Sequence, residues 1–198
     1  MDPASAMATL ESTDTRQRIL HATLRLIGEH GIGAVSNRQV AAAAGVALGS
    51  LTYHFPSQSR LLRESLLLHV AEEVSRLEAI AAELRSSSPT AATVAQEVER
   101  VVQRSAQSVE PVAELELHLR AARDPELQDA SRRCFDAYED FAAAALEALG
   151  VPEPKLHARA VVALMTGLAV RRLGTGERDA SGTADALLTL VRGATASA

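Results

Sequence analysis

The chain has 198 residues, 47% hydrophobic and 23% charged, which suits one globular domain or two small ones. Aromatic residues make up 3%, with no Trp, two Tyr and three Phe, so a core must be built mainly from Ala, Leu and Val; that composition favours packed helices over sheet. A single cysteine, Cys134, excludes a disulfide framework and a cysteine-based zinc site, and no apolar run reaches the roughly 18 residues of a membrane span.

The net charge of −5 is unevenly placed. Between Thr15 and Arg63 stand Arg16, Arg18, Arg25, Arg38, Arg60 and Arg63 against one acid, Glu29, a local net of +5. The other 14 basic and 24 acidic residues leave −10 elsewhere. A basic segment on an acidic body is the asymmetry of a nucleic-acid-binding module carried by a separate partner domain.

In chain order, Met1–Glu11 carries Asp2 and Glu11 and lacks the apolar stretch of a secretion signal, so a cytoplasmic protein is expected. Met1–Met7 reads as a cloning remnant or a disordered start, and residues 1–13 are expected to be disordered. Asp14 with Gln17 can form a capping box for a first helix, whose stripe is Ile19, Ala22, Thr23, Leu26 and Ile27 and which Gly31 and Gly33 stop. Ser36 with Gln39 makes a second capping box, opening a short helix through Ala44, and Gly45 suits the left-handed position beyond its end. Ala47–Phe55 reads as a third helix, ended by Pro56. Ser57 can cap a long fourth helix lined by Leu61, Leu62, Leu66, Val70, Val74, Leu77, Ile80 and Leu84, with a break at Ser86–Pro89. Further helices are expected at Thr93–Gln107, Pro111–Arg123, Glu126–Leu149, Pro154–Leu173 and Asp185–Arg192. The fold class is all-α.

Ser36–Phe55 has the grammar of a helix-turn-helix. Ala41, Ala43 and Ala44 let two helices approach closely, and Val46, Leu51 and Phe55 anchor the second on the first. Leu48, Gly49, Ser50, Thr52, Tyr53 and His54 remain to meet DNA, as the recognition helix of such a motif enters the major groove.

The stretch Arg16–Leu62 resembles the TetR family of transcriptional regulators, most specifically in Gly45-Val46, Gly49-Ser50-Leu51, Tyr53-His54-Phe55 and the Leu61-Leu62 pair after Pro56. The resemblance implies a three-helix DNA-binding domain at residues 14–56, with the helix-turn-helix at 36–55. An effector-binding and dimerisation domain of about six helices would follow at 57–198. It also implies contacts to phosphate or bases from Arg38, Gln39, Ser50, Tyr53 and His54. Two departures bear on operator preference: Thr52 stands where many relatives have Tyr, and Gln58 where many have Lys, with Arg60 available to compensate for the lost charge.

By the family's architecture the last two helices form the interface of a homodimer, here offering Val161, Val162, Leu164, Met165, Leu168, Leu187, Leu188 and Val191, some of which the chain's own core must claim. Candidate lining for a small-molecule effector is Leu117, His118, Ala121, Cys134, Phe135, Tyr138, Phe141, Met165 and Leu168, and the scarcity of aromatics favours an apolar, aliphatic ligand. Glu114 and His118 share a helix face, but one such pair is not a metal site, and no metal, cofactor or catalytic residue is expected. The expected function is a ligand-responsive repressor, released from a palindromic double-stranded operator when effector tilts the helix from Ser57 to Arg85. The alternatives are a helical adaptor with a vestigial DNA-binding fold, or an enzyme using His118, His157, Glu114 and Cys134.

Overall fold

A computed structural model describes residues 3–85, 90–177 and 179–196; the expected break at Ser86–Pro89 lies outside the described residues. These residues form nine α-helices and no strand: α1 (Pro3–His30), α2 (Asn37–Ala44), α3 (Leu48–His54), α4 (Gln58–Arg85), α5 (Ala91–Ser105), α6 (Glu110–Ala121), α7 (Pro125–Ala148), α8 (Pro154–Thr175) and α9 (Thr183–Ala196), with a 3-10 turn at Ile32–Ala34. No described helix is long and apolar enough to cross a membrane.

The short N-terminal helices follow their local signals. Ser36 Oγ accepts from the Gln39 backbone N–H, and Gln39 Oε1 accepts from the Ser36 backbone N–H, so the capping box closes in both directions. Gly45 stands at φ 66, where a side chain would be strained, and its N–H closes the last turn of α2. Ser57 Oγ accepts from the Arg60 backbone N–H at 3.1 Å and caps α4.

The start of α1 corrects an expectation. The helix is continuous from Pro3 through Asp14, so residues 3–13 are helical in place of the disordered start, and Asp14 is not an N-cap. Pro3 suits a first helical turn, and Asp14, four residues before Arg18, meets its guanidinium at 3.9 Å on the helix surface. Met1 and Asp2 lie outside the described residues.

The chain divides into two compact units, and not at the boundary expected between residues 56 and 57. The first is Met1–His69 with Val112–Ser131, and the second is Val70–Pro111 with Arg132–Ala198. Carboxylates explain why α6 and the start of α7 join the first unit. Glu116 accepts from the Ile32 backbone N–H, and Asp124 Oδ2 accepts from Ser59 Oγ at 2.8 Å. Glu114 Oε2 stands 3.3 Å from His69 Nε2 on α4. The first unit's core is Ile19, Leu20, Leu24, Ile27, Val40, Leu51, Phe55, Leu61, Leu66, Leu117 and Leu127, all fully buried. Within the second unit, Ala142, Leu146, Val151, Ala158 and Ala194 form a buried cluster on which Val161, Val162 and Val191 pack. There α5 also caps α9: Glu99 Oε2 accepts from the Ala184 backbone N–H at 3.0 Å.

Candidate nucleic-acid interface

Helix α3, the second helix of the helix-turn-helix, is held from beneath and left open above. Leu51 is fully buried and Phe55 is 1% exposed, which seats the helix on α1 and α2. On the other side Tyr53 is 83% exposed, Leu48, Gly49 and Thr52 are exposed, and Ser50 and His54 are half-buried. No atom lies within 4 Å of where a Cβ on Gly49 would stand, so internal packing does not require glycine there. The Tyr53 and His54 rings meet edge to face, with centroids 5.4 Å apart, which steadies both side chains at the end of the helix.

Arginines fix the helix-turn-helix rather than all standing ready for a ligand. Arg18 Nη2 donates to Ala44 O at 2.6 Å and Gly45 O at 3.1 Å, placing a cation on the carbonyls at the C-terminus of α2, where the helix dipole favours it. A Cβ on Gly45 would meet that same nitrogen at 2.9 Å and push the guanidinium aside, but it is the positive φ that calls for glycine. The Arg16 guanidinium lies over the Phe55 ring, 5.5 Å from its centroid, and also donates to Glu64. Arg16 therefore ties α1 to the end of α3 and to α4.

Glu64 was not singled out by sequence. Its half-buried carboxylate accepts from Arg16 and, at 2.9 Å, from Arg60 Nε, and Arg63 Nη2 stands 3.8 Å away. The stretch counted as +5 stops one residue short of this acid, which offsets part of the positive charge of three of its six arginines. Arg38, at the start of α2, is exposed and makes no ion pair among the described residues.

Several expected contact residues are partly engaged within the protein. Gln39 spends its carbonyl oxygen on the capping box. Thr52 Oγ1 donates back to Gly49 O at 3.0 Å, and Gln58 Nε2 donates to Val35 O at 3.2 Å. Arg60 is the partner of Glu64.

The effector candidates fall in both units. Leu117, His118 and Ala121 belong to the first, where Leu117 and Ala121 are buried and His118 Nδ1 stands 2.6 Å from Ser131 Oγ. Cys134, buried, and Phe135, Tyr138, Phe141, Met165 and Leu168, all half-buried, belong to the second. His118 Nε2 and His69 Nε2 both approach Glu114, at 3.5 and 3.3 Å. Burial pushes the Glu114 carboxyl up, but hydrogen bonds and charge from His118 and His69 outweigh it and hold the group at about 2.

The residues expected at a subunit interface divide in the same way. Val161, Val162 and Val191 pack on the second unit's own core and Leu187 is buried, while Leu164, Met165, Leu168 and Leu188 are half-buried. The face of α8 that is open is a different one: Leu156, Ala160, Ala163, Gly167 and Val170, at i, i+4, i+7, i+11 and i+14, are all exposed, Leu156 at 63%. The sequence pattern missed this stripe because α8 is apolar on both sides.

Residues 19–64 match the model of bacterial regulatory proteins of the tetR family, and residues 89–197, more than half the chain, match that of the tetracyclin repressor-like C-terminal domain. The HTH-type transcriptional repressor KstR of Rhodococcus jostii (strain RHA1) is 30% identical over 148 residues, 75% of this chain and 60% of that protein. The HTH-type transcriptional regulator AcrR of Shigella flexneri is 41% identical over 54 residues, 27% of this chain and 25% of that one. The chain thus spans less than two thirds of the length of these curated relatives. Among solved structures, the multidrug binding protein EbrR complexed with ethidium is similar at 31% identity and a TM-score of 0.70, over 89% of this chain and 98% of that one. With both family models matched and the helix-turn-helix in place, this chain belongs to the TetR family of bacterial regulatory proteins.

Proposed function

We propose that the protein is a ligand-responsive, sequence-specific DNA-binding transcriptional regulator, a repressor that acts as a homodimer in the cytoplasm and has no catalytic role. The observation that carries this reading is α3 itself: Leu51 and Phe55 are sunk in the core while Tyr53 stands in solvent beside the half-buried His54. An exposed aromatic on a helix so firmly seated does nothing for folding, and its hydroxyl is suited to donate to a phosphate oxygen. Family membership and the repressor KstR support the same reading.

The second copy that a two-fold operator requires is assigned to the open face of α8, where Ala160, Ala163 and Gly167 allow close helix approach and Leu156 and Val170 supply apolar area. The small-molecule effector is assigned to the second unit, where Phe135, Tyr138, Phe141, Met165 and Leu168 offer half-buried apolar surface. That EbrR was solved with ethidium supports small-molecule binding by this chain. Effector binding acts on DNA affinity through α4, a helix shared by both units, and a coupling of about 1–3 kcal/mol suffices to release an operator.

A gel-shift titration of the full chain against the DNA upstream of its own gene tests this reading. A salt-sensitive, sequence-specific shift at or below micromolar protein is expected, and Tyr53→Ala should weaken it about tenfold with unchanged thermal stability. No such shift by the wild-type chain would overturn the reading.

A further inference from the structure

The first unit also presents two exposed arginines, Arg120 and Arg123, outside the helix-turn-helix. Glu116 and Arg120 share a face of α6, and Arg123 follows in the turn beyond Ala121, where its backbone N–H donates to Arg120 O at 2.9 Å. One end of this stretch is fixed beside the start of the helix-turn-helix, where Glu116 accepts from the Ile32 backbone N–H. The other end is fixed beside the first turn of α4, where Asp124 Oδ2 accepts from Ser59 Oγ. Those two anchor points are themselves close to each other, because Gln58, next to Ser59, donates through Nε2 to Val35 O. Arg120 and Arg123 therefore lie along the chain between two anchors, one to the turn that precedes α2 and one to the first turn of α4.

Both arginines are exposed, and neither makes an ion pair or side-chain hydrogen bond among the described residues. The nearest acid in sequence, Asp124, is buried, with its oxygens turned to Ser59 and to the Leu127 backbone N–H. Glu116, four residues before Arg120, accepts from the Ile32 backbone N–H, and Glu126 and Asp129 are exposed on the next helix. Arg60, by contrast, is held by Glu64, and Gln58 is neutral. Here the arginines without an ion pair among the described residues are Arg38 on α2 and Arg120 and Arg123 at the end of α6, rather than those at the start of α4.

We propose that Arg120 and Arg123 form an additional DNA-backbone contact, binding phosphates that flank the segment read by α3. The proposal rests on the DNA-binding reading above. Phosphate contacts of this kind add affinity without sequence preference, and each steepens the salt dependence by about 0.9 in slope.

The test uses the full chain and fluorescence anisotropy on two duplexes, one selected from a random pool by the wild-type protein and one of unrelated sequence, across a salt series. Arg120→Ala with Arg123→Ala should weaken binding to both duplexes about tenfold at moderate salt and lower the slope of log K against log salt by about two. Arg120→Lys with Arg123→Lys should restore most of the slope. An alanine variant with wild-type slope, or an affinity loss that lysine does not rescue, overturns the proposal. If Tyr53→Ala still loses binding in that case, the DNA-binding reading stands without it. A wild-type chain that binds neither duplex overturns both.

Discussion

The two units are packed in different ways. In the first, long side chains are sealed: Ile19, Leu20, Leu24, Ile27, Leu51, Phe55, Leu61 and Leu66 are all fully buried. In the second, the buried residues are mostly small, among them Ala95, Ala142, Ala158, Ala180 and Ala194, while its large apolar residues Phe135, Phe141, Leu164, Met165 and Leu168 are half-buried. A unit that closes on its long side chains is a rigid platform for α3. A unit that leaves them partly open retains apolar surface for something else to cover, which is the physical basis for assigning it the effector and the second copy.

Substitution of the sealed core should have the largest effect. Leu51→Ala removes a fully buried side chain beneath α3 and is expected to cost about 3–4 kcal/mol, independent of protein concentration, in urea unfolding. A cost below about 1 kcal/mol would show that the first unit is as loosely filled as the second.

Glu114 tests how α6 is tied to α4 within that unit. Its folded-state pKa of about 2 lies below the ordinary 4.5, so its stabilisation is complete above pH 4.5 and is lost as pH falls toward 2. The full shift corresponds to about 3 kcal/mol. Glu114→Gln is expected to lower stability at pH 7 by up to that amount and to flatten the stability profile between pH 4.5 and 2. A variant that keeps the wild-type slope in that window would place the acid-sensitive group elsewhere.

The smallest stability effect is expected on the open face of α8. Leu156→Arg should change the stability of the isolated monomer by less than about 0.5 kcal/mol, because the side chain is largely in solvent. It should nevertheless shift sedimentation from dimer toward monomer. A variant that stays dimeric at the same concentration would remove this face from the subunit interface.

The parts of the site legible in sequence were those whose partners are neighbours along the chain. Ser36 and Gln39 are three residues apart, Gly45 directly follows the helix it ends, and Leu51 and Phe55 are one turn apart, so capping and burial could be read from spacing. The exposure of Tyr53 followed from the same turn geometry. What escaped were pairings over long separations. Glu64 takes up Arg16 from 48 residues away, Arg18 reaches the end of α2 across 26, and Asp124 reaches Ser59 across 65.

By itself the sequence determined the helix-turn-helix, the family and the helices apart from the start of α1, because caps, glycine positions and apolar spacing act within a turn or two of chain. Tertiary structure alone decided which charges are spent and which remain. It drew α6 and the start of α7 into the same unit as α3, set the half-buried Glu114 between two histidines and placed Glu64 among three arginines. It also turned one side of α8 outward although both sides are apolar. The reason is physical: an ion pair or a packed face is fixed by distance in space, and the order of residues carries no record of that distance until the chain has folded.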